Sequence, residues 1–406
     1  MIDRPLATRR EFLRIGTAGI TAAAFASSCS DTTAPRRSPP AGPPTSIRTL
    51  GRTGLRLPIV SMGSAYAVEL VRRAIDEGIR YVHTSSSYAE RNQERMLGEV
   101  LKGVARDSFV IGTCPDLPAR FPVRGEPSVD VGVQVDPGLI GRSMHASLEL
   151  LGLDHVDIYY LASVGTRRSA LHEPYIKAFE KLKQAGLTRF IGLITHRSEP
   201  EVMRAAVEAR AWDVVVTAYN FRQSHREAVA AAIKVASEAG LGVVAMKTQA
   251  GVYWDRLRLR KINMKAALKW VVQSEHVHTT IPAFSNYDEL GEDLDVIKNP
   301  ALTPEERSDL KLGEMAGLAG VFCQQCGVCL PQCPSGLNVT GLMRASMYAV
   351  GYGRPDKARQ VLQGWCRLDD LPCVRCSGCS VRCALGLDVR ASALDLAPLL
   401  AATART

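Results

Sequence analysis

The sequence predicts an α/β protein, a (β/α)8 TIM barrel followed by a small, cysteine-rich α-helical domain, on three observations. From Ile59 to about Asn299 short β-rich runs alternate with longer amphipathic stretches, the sign of βα units and a parallel sheet. Eight such units in about 240 residues match a barrel that typically takes about 250. Behind them, between Cys323 and Cys383, eight cysteines fall in two runs of identical spacing. The whole chain of 406 residues, 46% apolar, can fill a sizeable core, which excludes disorder or a coiled coil as the main state.

The first element is an address. Thr8-Arg9-Arg10-Glu11-Phe12-Leu13-Arg14 precedes a weakly apolar run, Ile15 to Ala26, in the charged-then-apolar layout of a secretory signal. That run is too short for a bilayer core of about 30 Å, which takes about 20 residues, so no membrane span is expected. The paired arginines resemble the twin-arginine signal, whose family exports proteins already folded. An ordinary amphipathic helix is the alternative, but Pro35, Pro39, Pro40, Pro43 and Pro44 cannot continue one. Residues 1–29 are therefore expected to be the signal, residues 30–46 a Pro-rich linker, and the compartment the periplasm. Cleavage could follow Ala26, or fall before Cys29 if that thiol takes lipid and anchors the protein to a membrane.

Charge excludes one class of partner. Of the formal net charge of +9, residues 1–50 hold seven basic against three acidic side chains and residues 321–406 nine against five, which leaves +1 between them. A nucleic-acid-binding protein would gather its basic side chains on a folded face, so nucleic acid is not an expected partner.

The barrel is expected over residues 47–310. Its strands are predicted near Ile59–Met62, Tyr81–His83, Phe109–Ile111, Val156–Tyr160, Phe190–Leu193, Asp213–Val216, Gly242–Ala245 and Thr279–Ile281. Helical patterns lie between them, among them Val68–Glu77, Ala178–Gln184 and Glu227–Ala239, the last stopped by Gly240. Residues 116–136 form an insertion without clear periodicity, placed where a lid over the barrel mouth or a surface excursion would lie.

In this fold chemistry sits just after the strand C-terminal ends, and those residues carry a resemblance. Gly78 to Tyr88 (GIRYVHTSSSY), Leu150 to Tyr159 (LLGLDHVDIY), Tyr219-Asn220 and Ile281-Pro282 are similar, in order and spacing, to the aldo/keto reductases. The resemblance covers residue 47 to about residue 310. It implies reduction of carbonyls by a nicotinamide hydride, with a Tyr giving the proton, a Lys and an Asp tuning that Tyr, and a His orienting the substrate.

Three of those four positions differ here. Tyr88 matches the Tyr, but the resemblance puts His83 at the Asp position, Cys114 at the Lys position and Ala162 at the His position. A phenol with a pKa near 10 is a useful acid near neutral pH only when charged neighbours stabilise its phenolate. His83, if cationic, could substitute in part; His83 and Tyr88 could equally be a polar rim. Ile194 and Val216 stand where the family uses Ser and Gln to hold the carboxamide, and an unpaired buried amide costs about 1–3 kcal/mol. Asn286, Asp288 and Glu289 stand where NADP users of the family have basic side chains. NAD(P) is therefore an open question as a cofactor. Lys247, after the seventh strand, is the cation aimed at the pocket, unless it is a solvated strand-end lysine.

Residues 311–406 are expected to form the second domain. Cys323, Cys326, Cys329 and Cys333, then Cys373, Cys376, Cys379 and Cys383, each follow Cys-x-x-Cys-x-x-Cys-x-x-x-Cys, the bacterial ferredoxin run for two 4Fe–4S clusters. In such runs the fourth cysteine ligates the other cluster, which pairs Cys383 with the first trio and Cys333 with the second. Two zinc sites are the alternative, although zinc motifs run in pairs rather than triplets. The stretch Val339–Gly364 favours helix, with Leu342, Met343 and Met347 on one side, so the domain looks like an α-helical two-cluster ferredoxin. Such a domain also occurs on an iron–sulfur branch of the aldo/keto reductases. Cys29, Cys114 and Cys366 are left over from the eleven cysteines.

Folded export suits these cysteines, because thiols exported unfolded into an oxidising compartment would risk disulfides. The sequence thus predicts an exported iron–sulfur oxidoreductase that passes electrons between two clusters and a small-molecule substrate or a redox partner protein at the barrel mouth. Two alternatives stand beside it: an NAD(P)-dependent carbonyl reductase with Tyr88 as proton donor, and a non-enzymatic electron carrier whose barrel only docks.

Overall fold

The computed structural model describes residues 46–64, 67–88, 92–115, 117, 119–120, 130–131, 135–254, 259–315, 323, 329–362, 371–383 and 386–401. The arginine pair, the Pro-rich segment, Cys29, Cys326, Cys366 and most of the insertion 116–136 lie outside the described residues.

Seven parallel strands form one curled sheet: Tyr81–His83, Val110–Thr113, Val156–Leu161, Thr188–Thr195, Val214–Ala218, Gly242–Met246 and Thr279–Thr280, each hydrogen-bonded to its neighbour in chain order. The first predicted strand, Ile59–Met62, closes the ring instead of joining as a full member. Val60 bridges in parallel to Thr280 and Met62 to Val82. Its amides alternate between the two edges, Ser61 N–H donating to Thr280 O at 2.8 Å and Met62 N–H to Tyr81 O at 2.9 Å, so neither pairing runs long enough to be a ladder. The result is the expected barrel arrangement, with seven full strands and one bridging segment.

The strands are Val- and Ile-rich because both faces are covered. All six residues of Val156–Leu161 are buried, as are all five of Val214–Ala218. Inside the ring the Tyr160 ring passes so close to Gly112 and Gly192 that a Cβ at either would stand 2.8 or 2.7 Å from a ring carbon. A hairpin of Ile47–Thr49 and Arg56–Pro58 plugs the end where the strands begin. Its Leu50 sits against Gly242, where a Cβ would lie 2.6 Å from Leu50 Cγ.

Helices follow the strands as the periodicity predicts, with ends shifted by a few residues: Val68–Asp76, Glu173–Gln184 and Arg226–Glu238. Of the insertion, Ala119–Arg120 pairs antiparallel with Asp130–Val131.

The predicted helix over Val339–Gly364 is interrupted. It runs Val339–Ser346, continues as a π-helical turn Met347–Gly351, and restarts at Pro355–Leu362. Gly353 at φ +66° and Pro355 make the break. Leu342 and Met343 are buried as expected, while Met347 is half-buried. Leu342 and Met343, together with Ala345, Ala349, Ala358, Leu362 and, from helix Val389–Ala401, Ala393 and Leu396, form a second core. Among the described residues no helix is long and apolar enough to cross a membrane.

Candidate functional site

The barrel interior holds an apolar cluster that reaches the C-terminal ends of the strands. Cys114, Ala162, Ile194 and Val216 belong to a single cluster with Tyr81, Tyr160, Met246 and Ile281. Four of the positions at which the resemblance implies a polar side chain are thus neighbours in one apolar cluster. Cys114 is buried and points its thiol at Thr84 O, 3.9 Å away.

His83 is buried against two tyrosines of this cluster. Its Nδ1 meets Tyr81 Oη at 3.2 Å, Tyr81 Oη meets Tyr160 Oη at 2.7 Å, and its ring packs on Tyr160 at 5.3 Å. Burial lowers its pKa to about 4, so it is neutral near pH 7. As a neutral group it does not supply the charge with which a cationic His83 could in part have substituted beside Tyr88. Tyr88 fares no better as an acid, since burial pushes its phenol above the usual value and Cys114 and Tyr348 add to the rise, against a smaller opposing effect of Arg344.

At the barrel mouth stands a polar cluster. Lys247 ends the strand Gly242–Met246 with φ +58°, and Ala250 and Gly251 follow at +59° and +104°. Two non-glycine residues in the left-handed region within four positions are uncommon, and such strain gathers at functional sites when the surroundings hold it. Here Asn220 Nδ2 donates to Lys247 O at 3.1 Å, and Val252 N–H donates to Gly351 O at 2.7 Å.

That second bond joins the barrel to the C-terminal domain, and the side chains complete the join. Lys247 Nζ donates to Tyr348 Oη at 2.9 Å and lies 5.0 Å from the centre of its ring. Tyr348 sits on the π-helical turn, a feature frequent at functional sites. Arg344, one turn earlier, and Lys357, from the next helix, each lie 5.9 Å from the same ring centre. Burial would push the Tyr348 phenol up, but the charges of Lys247 and Arg344 and their hydrogen bonds prevail and bring its pKa down to about 7. His196, after strand Thr188–Thr195, is pushed well down by burial and by Lys247, Arg344 and His83.

The structure therefore gives Lys247 a partner, which the sequence reading could not. Tyr348, Arg344, Lys357 and His196 were invisible to it. A Tyr on a helix 101 positions from Lys247 has no local signature. Only the π turn and the packing of the two domains bring it to the barrel mouth.

The acidic segment Ser285–Glu289, which the resemblance would put at the adenine end of a nucleotide, is also closed on itself. Glu289 accepts from Ser285 N–H at 2.6 Å and Ser285 Oγ at 2.9 Å, while Asn286 caps helix Tyr287–Lys298 by accepting from Glu289 N–H at 2.9 Å. These side chains complete helix-cap bonds and leave a carboxylate where a 2′-phosphate would need a cation.

Around the second core, Cys329 packs with Cys323, Cys333, Cys373, Cys379 and Cys383. The two cysteine runs are clasped at matching places. Gln332 Oε1 accepts from Arg382 N–H at 2.6 Å, Gln332 Nε2 donates to Arg382 O at 3.2 Å, and Ser380 Oγ donates to Gln332 O at 2.8 Å. Gln332 precedes Cys333 and Arg382 precedes Cys383, so the ends of the two runs are held side by side. A cavity of about 450 Å³ opens by Cys379 and Cys383, lined in part by Val381, Arg382, Leu387 and Val389. Among the described residues no three side chains stand as a ready ligand group, so the fit to iron–sulfur clusters rests on the thiol donor set, the clasp and this space.

Comparison with known proteins agrees with both halves. The model of the aldo/keto reductase family matches residues 54–265, and that of a 4Fe–4S dicluster domain matches residues 322–388. L-galactose dehydrogenase of Arabidopsis thaliana is 33% identical over 164 residues, 36% of this chain and 47% of that protein. The "Probable aldo-keto reductase 1" of Glycine max is 24% identical over 139 residues, 34% of this chain and 37% of that protein. The chain thus spans less than half the length of either curated relative. Among solved structures, an aldo-keto reductase of Bacillus halodurans in its holo form superimposes with a TM-score of 0.53 at 23% identity, over 68% of this chain and 96% of that one, a likeness of fold.

Proposed function

Because the chain belongs to the aldo/keto reductase family and carries a 4Fe–4S dicluster domain behind the family domain, we propose that it is an exported iron–sulfur oxidoreductase that moves electrons between two clusters and an acceptor at the barrel mouth. Cys323, Cys326, Cys329 and Cys383 would hold one 4Fe–4S cluster, and Cys373, Cys376, Cys379 and Cys333 the other. Such clusters, when bound, supply single-electron transfer.

The observation that carries this reading is the bond from Lys247 to Tyr348, which makes a residue of the cysteine domain part of the barrel mouth. A carrier that used its barrel only for docking would have no need of that contact. The nicotinamide reading lacks support from the residues present. Apolar Ile194 and Val216 offer no bond to a carboxamide, and Tyr88 has neither a neighbouring cation strong enough to lower it nor a charged His83. No step is assigned to NAD(P).

The arginine pair Arg9-Arg10 would deliver the folded protein to the twin-arginine machinery and the periplasm, with Cys29 as a candidate lipid anchor. Cell fractionation followed by metal analysis tests the proposal. Protein from the periplasmic fraction, purified without oxygen, should carry about eight iron and eight acid-labile sulfide per chain. Changing Arg9 and Arg10 to Lys should leave it in the cytoplasm with the same content. Zinc near two per chain without sulfide, or normal export of the double variant, would overturn the corresponding half of the proposal.

A further inference from the structure

We propose that the Tyr348 hydroxyl, held by Lys247 of the barrel and by Arg344 of its own helix, is the proton donor of the barrel mouth and takes there the oxygen of a carbonyl-bearing acceptor. The inference rests on the functional reading above for its electrons, which come singly from an external low-potential donor by way of the C-terminal domain. The first electron puts negative charge on the acceptor oxygen, the O–H bond of Tyr348 breaks as its proton bonds to that oxygen, and the neutral radical so formed takes a second electron from the same donor and a second proton from water. The electron pair stays on the phenolic oxygen, where Lys247 and Arg344 stabilise it, and a proton from water later restores the phenol.

The 2.9 Å bond from Lys247 Nζ at the end of a barrel strand, with Arg344 and Lys357 each 5.9 Å from the ring centre, sets the Tyr348 hydroxyl among cations at the barrel mouth. An acid must lie within hydrogen-bond reach of its substrate and have a pKa near the working pH. Tyr348 meets the second condition through the 2.9 Å bond from Lys247 Nζ and the nearness of Arg344, which outweigh burial. Tyr88, across the mouth, is moved the opposite way. The other groups facing Tyr348 leave its titration distinct. Tyr352 is pushed up by burial, His196 is pushed down and neutral, and Lys357 is lowered by burial to about 8. With Lys247, Arg344 and Lys357 around it, the site also favours an acceptor oxygen that gains negative charge over a cationic one.

The phenol can be read without turnover. Tyrosinate difference absorbance of the oxidised, full-length holoprotein should show one phenolate per chain forming with a midpoint near pH 7. That phenolate should vanish in Tyr348→Phe. It should move up by more than about one pH unit in Lys247→Met and return close to its original midpoint in Lys247→Arg, which keeps the charge. In the pre-reduced protein, reduction of a small carbonyl acceptor should slow about 100-fold in Tyr348→Phe at unchanged iron content. In the wild type it should fall as pH rises through the same midpoint, where the donor proton is lost. Absence of any phenolate below about pH 9, or one that persists in Tyr348→Phe, would overturn the proposal. Should Lys247→Met fail to fold, the wild-type and Tyr348→Phe titrations still decide. Absence of iron and sulfide would instead sink the functional reading and leave the titration untouched.

Discussion

With NADPH as the only reductant, the purified protein should reduce simple aldehydes about 10²- to 10⁴-fold more slowly than a family member with an intact tetrad. The losses fall at one place. Cys114 removes the cation that would lower the Tyr88 phenol, and burial raises that phenol instead. By the resemblance, Ala162 would lack a substrate hydrogen bond, and apolar Ile194 and Val216 would leave the carboxamide without partners and the hydride donor misplaced. His83 cannot compensate, being neutral at the working pH. The check is a steady-state assay with NADPH and NADH at saturating aldehyde. Robust turnover that disappears in Tyr88→Phe would contradict the prediction and favour a nicotinamide-dependent reductase.

Replacing Cys383 by Ala should damage the cluster bounded by Cys323, Cys326 and Cys329, although Cys383 belongs to the other run. The reason is the ferredoxin spacing, in which the fourth cysteine of each run serves the other cluster; the clasp between Gln332 and Arg382 holds the two fourth cysteines close enough for that exchange. Losing one thiolate of four should leave a three-iron centre or an empty site at that trio, while the signal of the second cluster persists. Iron analysis and electron paramagnetic resonance of Cys383→Ala and Cys333→Ala, compared as a pair, check this. The crossing is wrong if Cys383→Ala removes the cluster of Cys373, Cys376 and Cys379.

The barrel strands were legible because parallel sheets covered on both faces spell out continuous runs of Val and Ile, and Val156–Leu161 and Val214–Ala218 lie where those runs predict. Ile59–Met62 was predicted as a strand and serves as the closing segment, since a hydrophobic run does not record how many ladder bonds it will make. The cysteine spacing was equally readable, because metal ligands must recur at fixed short intervals. What the sequence concealed is the polar half of the barrel mouth. Lys247 could be read as either a pocket cation or a solvated strand end, and its partner Tyr348 lies 101 residues away on a turn whose π geometry no local pattern announces. The charge state of His83 was hidden for a similar reason: burial among Tyr81 and Tyr160 is a tertiary property.

In the proposed function, electrons leave the C-terminal domain through the barrel mouth. Rapid mixing of dithionite-reduced, full-length protein with a small quinone or carbonyl, followed by the return of cluster absorbance, tests it most directly when wild type is compared with Ala162→Trp, which fills the apolar lining. The account predicts a wild-type rate that saturates with acceptor concentration and falls at least about tenfold in Ala162→Trp at unchanged iron content. A rate that stays linear in acceptor and is equal in both proteins would mean that electrons escape from the cysteine domain directly, and would contradict the account.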